Sequence, residues 1–191
     1  PGVPDVMGFG RRTMVARAEE SEAMLAYKIG ALKGVAARHG LQVGHVGYHA
    51  AFGTMANADP MLADRLARVI ASIDPNLVML AMQGQPIDLA AQKAGLRVRY
   101  LFLADRAYQA NGALVPRGQE GAVIHDLAAV NARVKTFLNH GSVTTLDGQS
   151  LPINSKSILV HSDTPGSDKL AQSIAAQIAA LGGVVAAPSK L

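Results

Sequence analysis

The sequence predicts an α/β fold in which helices connect parallel strands, in the manner of a (β/α) barrel. Two observations predict it. Short apolar runs alternate with helical segments, and polar side chains capable of chemistry follow the ends of the apolar runs. The chain has 191 residues, 49% of them apolar, which is enough for one domain with a sizeable core. Its four clear parallel strands are half the number in a closed barrel, so we expect a single domain over residues 1–191 with a TIM-like, incomplete barrel.

The first half of the chain alternates helix and strand. Acidic residues open the first helical segment and Gly40 follows it, as the helix dipole and C-cap preferences require. Asp59 is the expected N-cap of a later helix, with Pro60 as its first residue. Four apolar residues of the first helix are expected near one face: Met24, Ala31, Leu32 and Val35. The predicted elements are a helix over 19–39, a strand over 43–48, a helix over 60–72, a strand over 77–81, a helix over 85–94 and a strand over 97–103.

The second half opens with a long segment, residues 104–124, that contains several glycines and has no strong periodicity. A structured loop of this length is often functional. Asp147-Gly148 lies between two β-like arms and is a strong signal for a hairpin. The remaining predicted elements are a helix over 126–139, a strand over 157–161 and a helix over 166–181 that ends at Gly182.

Composition excludes several classes of protein. The absence of cysteine excludes disulfide scaffolds, cysteine-bound zinc and thiol catalysis, and it fits a cytoplasmic protein. The net charge of +4 is spread along the chain and aromatic residues make up only 4%, so we expect no nucleic-acid partner. No apolar stretch reaches the length of about 18 residues that a membrane span needs, and the first residues lack the pattern of a signal peptide.

Reactive side chains follow the ends of three predicted strands. His49 follows the first strand, Asp105 the third and His161 the fourth, with Asp163 close behind. Ligands of parallel α/β folds bind at the carboxyl ends of the strands, so we expect these residues at a common mouth. His49, Asp105, His161 and Asp163 are therefore the candidate catalytic residues, as acid/base or orienting groups.

Further polar residues near these strand ends are candidates for substrate binding. Arg106 offers a guanidinium fork for an anionic substrate and Tyr108 a phenol. Thr164 stands at the start of the last helix, where free N–H groups suit anionic oxygens. Each also has a structural interpretation. Arg106 would close a loop by pairing with Asp105, and Asp163 or Thr164 would cap the helix.

His45 and His49 stand four residues apart around the end of the first strand. At that spacing both imidazoles share a face and would permit a shared metal ion. No carboxylate nearby supplies a third ligand, so we favour one packed and one pocket-lining histidine, with no metal, and place His45 among the substrate-binding candidates.

Several signature motifs are missing from the sequence. The glycine spacing matches neither a P-loop nor a dinucleotide-binding fingerprint, so no nucleotide site is visible in this chain. The G-x-S-x-G elbow of α/β-hydrolases is also absent.

Three segments resemble the LamB/YcsF family, the A subunits of bacterial ATP-dependent 5-oxoprolinase: PGVPDVMGFGRR, LADRAYQANGALVPRGQEGAVIHD and ILVHSDTPGSDKLA. The resemblance runs in order from Pro1 to about Gly182. It implies a barrel-like fold related to the glycoside hydrolase and polysaccharide deacetylase barrels. It also implies a part in opening the lactam ring of 5-oxoproline to glutamate, with ATP cleaved by the assembly and subunits B and C as partners.

The sequence departs from the family pattern in three places, the mildest of which is Ser162 where the family stretch V-H-G-D-T-P has glycine. The acidic N-terminal stretches of the family are expected upstream of Pro1, so we expect their carboxylates and histidine to be missing from this polypeptide. The family stretch H-V-K-P-H-G-A-L-Y-N appears as HVGYHAAFGT, with Gly47 in place of lysine and Thr54 in place of asparagine. Losing a cation and hydrogen-bonding side chains from a pocket wall removes contacts to a transition state.

Three functions therefore stand as hypotheses. The first is a hydrolase of a small lactam that resembles the A component of 5-oxoprolinase. The second is a catalytically inactive or truncated relative with a scaffolding role, and the third is a metal-dependent deacetylase-like hydrolase built on His45 and His49. An incomplete barrel leaves apolar surface uncovered, so we also expect a homo-oligomer, or helices rearranged to cover the open edge.

Overall fold

The computed structural model describes residues 1–162 and 165–188. The chain divides into two compact units, one formed by Pro1–Arg99 with Pro188 and the other by Tyr100–Ala187. Within the described residues, no helix combines the length and the apolar character needed to cross a lipid bilayer.

Unit 1 contains four helices and two paired strands among its described residues. Strands β1 and β2 run parallel, with His45 of β1 opposite Val78 of β2. Helices and strands pack around a core that includes Leu25, Phe52, Leu66 and Met79. The elements are α1 (Ala18–Ala37), β1 (His45–Gly47), α2 (Ala51–Ala58), α3 (Pro60–Ile73), β2 (Val78–Ala81) and α4 (Pro86–Lys93). Strand β3 (Arg97–Leu103) begins in this unit and continues into unit 2.

Helix α3 begins as the sequence predicts. The Asp59 side chain accepts hydrogen bonds from the backbone N–H groups of Met61 and Leu62, and Pro60 is the first helical residue. Leu62, Leu66 and Ile70, spaced by four, are buried. The short helix α2 just before it was not predicted from the sequence.

Helix α1 buries a different face from the predicted one. Its buried residues are Ser21, Leu25 and Ile29. The next residue in this row of fours is Lys33, whose ammonium group contacts Asp74 at 2.6 Å. This row faces the protein, so the prediction for Ala31, Leu32 and Val35 is wrong: all three are exposed, Leu32 at 57% and Val35 at 59%.

Unit 2 contains a parallel strand pair, a hairpin and two helices among its described residues. Strand β3 pairs in parallel with β6, with Leu103 opposite Leu159. The predicted hairpin is confirmed: β4 and β5 are antiparallel, and Gly148 in the turn has a φ of 84° that favours glycine. The elements are α5 (Leu127–His140), β4 (Ser142–Thr144), β5 (Ser150–Pro152), β6 (Ser157–Leu159) and α6 (Ser167–Ala180).

The predicted loop over 104–124 is a folded structure without a helix or a regular strand. Two isolated antiparallel bridges cross it, Arg106 with Val123 and Tyr108 with Leu114. It directly follows β3 and therefore shapes the carboxyl end of that strand.

Candidate active site

Two of the predicted catalytic residues meet at the carboxyl end of the strand pair in unit 2. Leu103 and Leu159 are partners in the parallel ladder. Asp105 and His161 each lie two residues beyond these partners, and the backbone N–H of Ala104 still donates to Leu159 at 3.0 Å. The register of β3 and β6 thus places the two side chains next to each other, although 56 residues separate them in sequence.

The Asp105 and His161 side chains form a direct hydrogen bond. His161 Nδ1 lies 2.8 Å from Asp105 Oδ1 and 3.0 Å from Oδ2. The Asp105 side chain is only 1% exposed, whereas that of His161 is 21% exposed. An ionised carboxylate only accepts hydrogen bonds, so Nδ1 carries a proton and Nε2 of the neutral imidazole has a lone pair. This arrangement suits a general base.

The Asp105 backbone is also held in place. Its carbonyl accepts a hydrogen bond of 2.9 Å from the backbone N–H of Ile124, at the far end of the loop. The backbone that carries the carboxylate is thus tied to the far end of the folded loop.

Arg106 and Tyr108, two predicted substrate-binding residues, have buried side chains. The Arg106 guanidinium donates to two backbone carbonyls of its own loop, those of Ala122 and Val115, at 3.1 and 2.6 Å. The Tyr108 hydroxyl oxygen accepts from the N–H of Leu103 at 2.9 Å. Burial raises the pKa of the Tyr108 phenol. In this conformation both polar groups stabilise the loop.

His49 lies in unit 1, just after β1, and the first loop of the chain holds it. Its backbone N–H donates to the carbonyl of Pro1 at 2.7 Å, and its Nε2 lies 2.8 Å from the carbonyl oxygen of Phe9. A carbonyl only accepts, so Nε2 carries the proton here and Nδ1 is the atom left for acid/base chemistry. His45 is exposed at the start of β1.

The loop that holds His49 is organised by Asp5, a residue that the strand-end pattern does not select. Its carboxylate, 3% exposed, accepts from the backbone N–H groups of Gly8 and Arg12 and from the Arg12 guanidinium. The hydrogen bond from Arg12 is the largest cause that lowers the pKa of Asp5 from 3.8 to about 2. An aspartate three residues before a glycine is the sequence signal for such a turn.

Two of the predicted residues, Asp163 and Thr164, lie outside the described residues. Over residues 1–162 and 165–188, no group of three or more histidine, aspartate and glutamate side chains has the arrangement of a metal site.

Comparison with known proteins finds a family that matches the whole chain. The LamB/YcsF family matches residues 1–191. A relative from Agrobacterium fabrum, named as the A 2 subunit of 5-oxoprolinase, is 47% identical over 97% of this chain and 73% of its own length. The 5-oxoprolinase A subunit of Pectobacterium atrosepticum is 46% identical over 97% of this chain and 72% of its own.

A solved structure is also similar. The crystal structure of a lactam utilization protein from Thermus thermophilus is 32% identical, has a TM-score of 0.88 and covers 97% of this chain and 74% of that one. This match confirms the predicted α/β, barrel-like fold class.

Proposed function

Because the chain belongs to the LamB/YcsF family, we propose that it is the A-type component of an ATP-dependent 5-oxoprolinase and hydrolyses the lactam of 5-oxoproline to glutamate. One observation carries the proposal: the hydrogen bond of 2.8 Å between the buried Asp105 carboxylate and His161. Amide hydrolysis needs a group that removes a proton from water and returns it to the leaving nitrogen. The names of the relatives supply the substrate class.

In the proposed reaction His161 Nε2 removes a proton from water while the water oxygen attacks the lactam carbonyl carbon. The carbonyl electron pair moves onto oxygen and gives a tetrahedral intermediate. When it collapses, the carbon–nitrogen bond breaks and the imidazolium returns its proton to the nitrogen. One water is consumed and the ring opens to an amine and a carboxyl group. Between these two proton transfers, the Asp105 carboxylate stabilises the imidazolium and keeps Nδ1 protonated.

The other predicted residues complete the proposal. His49 contributes Nδ1 as an acid/base or orienting group, because Nε2 is bonded to the Phe9 carbonyl. Asp163 and Thr164 serve as catalytic and substrate-binding groups, and His45 is also assigned to substrate binding.

We assign ATP to the assembly and not to a site on this chain. An open cleft of about 300 Å³ in unit 2 is lined by Gln109, Ala110, Val115, Gln119, Leu146 and Asp147. The charged side chain among these is Asp147, whose carboxylate would repel a triphosphate. We therefore do not assign ATP to this cleft, and no step above passes through the nucleotide. Subunits B and C are the proposed partners that supply this function.

A reconstituted assay tests the proposal. The complete assembly, with subunits B and C, is supplied with 5-oxoproline and ATP, and the release of glutamate and ADP is measured. We expect the His161→Gln variant to lower glutamate release by about 10²- to 10⁴-fold, because the general base is lost. His140→Gln, at the exposed end of α5, is the matched control. Near-normal turnover by His161→Gln would remove this residue from the mechanism.

One observation favours a second candidate, an inactive relative with a scaffolding role. Within HVGYHAAFGT, Gly47 and Gly53 replace the lysine and tyrosine of the family stretch. In that case the wild-type chain would bind subunits B and C without supporting any release of glutamate, and the same assay separates the two functions.

A further inference from the structure

We propose that Arg106 is a positioning residue that holds Asp105 against His161, and not a contact for an anionic substrate. The inference deepens the proposed function and rests on it. Arg106 is adjacent to Asp105, and only 6% of the residue is exposed.

The Arg106 side chain joins three segments of the 104–124 loop. Its Nη2 donates to the carbonyl of Val115 at 2.6 Å, and its Nε donates to the carbonyl of Ala122 at 3.1 Å. Backbone hydrogen bonds follow the same pattern, because the N–H of Ala107 also donates to Ala122 and the N–H of Val115 donates to Ala107. One guanidinium therefore fixes both distant segments against the residues that follow β3.

The contact with Ala122 connects Arg106 to the candidate catalytic pair. Two residues after Ala122, the N–H of Ile124 donates to the Asp105 carbonyl at 2.9 Å. If the segment around Ala122 loosens, the Asp105 backbone loses this partner. The carboxylate then loses its fixed orientation toward His161 Nδ1, which reduces the stabilisation of the imidazolium.

A second arginine, Arg133 of α5, supports the same position. Its guanidinium donates to the Arg106 carbonyl at 3.3 Å and to the Thr144 carbonyl at 2.7 Å. It also lies over the rings of Phe102 and Tyr108, at 5.7 and 5.5 Å from their centroids. The Asp105–Arg106 dipeptide is thus restrained both by its own side chain and by the following helix.

Arg106→Lys tests the inference, because a lysine keeps the charge but has no planar fork to reach two carbonyls. In the complete assembly we expect kcat for glutamate release to fall about 10- to 100-fold and KM to stay within about twofold. Arg97→Lys, at the exposed start of β3, is the control. Arg133→Lys should show the same pattern more weakly, and it serves as the test if Arg106→Lys does not fold.

Imidazole ¹⁵N NMR provides a readout that does not depend on activity. Wild-type His161 should show the tautomer protonated at Nδ1, and Arg106→Lys should shift it toward protonation at Nε2, as Asp105→Asn would. A raised KM with normal kcat and an unchanged tautomer would overturn the inference and make Arg106 a substrate contact. A reduced kcat with an unchanged tautomer would also overturn it. If the proposed function fails because His161→Gln is fully active, the tautomer still tests the positioning role.

Discussion

Asp5 and Asp105 are both almost fully buried, but their carboxylates have different kinds of partner. Asp5 accepts hydrogen bonds from Arg12 and from backbone N–H groups within a single loop. Asp105 accepts from His161, 56 residues away in sequence. The first arrangement stabilises a local turn, whereas the second orients a group that can exchange a proton. Burial alone therefore does not separate a carboxylate that stabilises a turn from one that contacts a proton-exchanging side chain, and the identity of the partner does.

The lowered pKa of Asp5 predicts a pH dependence of stability. Its pKa falls from 3.8 to about 2 in the folded chain. A carboxyl group whose pKa is lowered on folding stabilises the fold at pH values above its ordinary pKa. This contribution is lost as the pH falls through the pKa of the folded state. Asp5→Asn should therefore lower the urea midpoint at pH 7, and the difference from wild type should shrink toward zero near pH 2.

Urea unfolding at several pH values measures this effect, with Glu120→Gln, at an exposed site, as the control. The expected role of Asp5 would be contradicted if Asp5→Asn and wild type had the same midpoint at pH 7. A difference that grew as the pH fell would contradict it as well.

At the scale of elements, the start of α2 shows why one helix was not predicted. Ala50, its N-cap residue, has φ 45° and ψ −117°, a conformation that favours glycine. The family stretch has glycine at this position, whereas this chain has alanine. The backbone therefore turns sharply between His49 and Ala51 without the usual sequence signal for a turn.

Ala50→Gly should stabilise the protein. Relief of backbone strain is worth roughly 1–3 kcal/mol, and the extra entropy of an unfolded glycine costs about 0.5–1 kcal/mol. We expect a net gain of about 1 kcal/mol in the free energy of unfolding, measured by denaturant titration. Ala58→Gly, at the exposed end of the same helix, should instead destabilise it. A loss of stability for both variants would show that Ala50 is not strained.

Patterns of neighbouring residues predict most of the helices and strands. Features that depend on packing between distant residues are not predicted by these patterns. The Asp59 cap and the Asp147-Gly148 turn are signals of adjacent residues, so α3 and the β4–β5 hairpin follow from the sequence. The buried face of α1 is set by Leu25 and Ile29, which pack into a core formed by residues far apart in sequence. A helical periodicity cannot show which of two neighbouring faces contacts a distant helix.

At the scale of the whole molecule, the strand-end rule selects residues but not their contacts. It selects Asp105 and His161, which the register of β3 and β6 then brings together. It also selects Arg106, but the Arg106 guanidinium donates to backbone carbonyls of the 104–124 loop. No pattern of neighbouring residues predicts how that loop folds, so these contacts could not be predicted. The part of His49 in the same site stays a prediction.

The exposed surface of unit 1 bears on the predicted self-association. Val6 and Met7, in the loop that Asp5 organises, are 90% and 91% exposed. Apolar side chains displayed on a fixed loop favour association, because little conformational entropy is lost when they are covered. These exposed side chains are consistent with a homo-oligomer, which stays a prediction.

In the proposed function, Asp105 and His161 act as one unit in opening the lactam. A double-mutant cycle in the complete assembly tests it most directly, with kcat/KM for glutamate release measured for Asp105→Asn, His161→Gln and the double variant. We predict a large loss in each single variant and no more than about a threefold further loss in the double variant, because groups that act as a unit are not additive. Single losses that multiply in the double variant, or single variants with near wild-type activity, would contradict it.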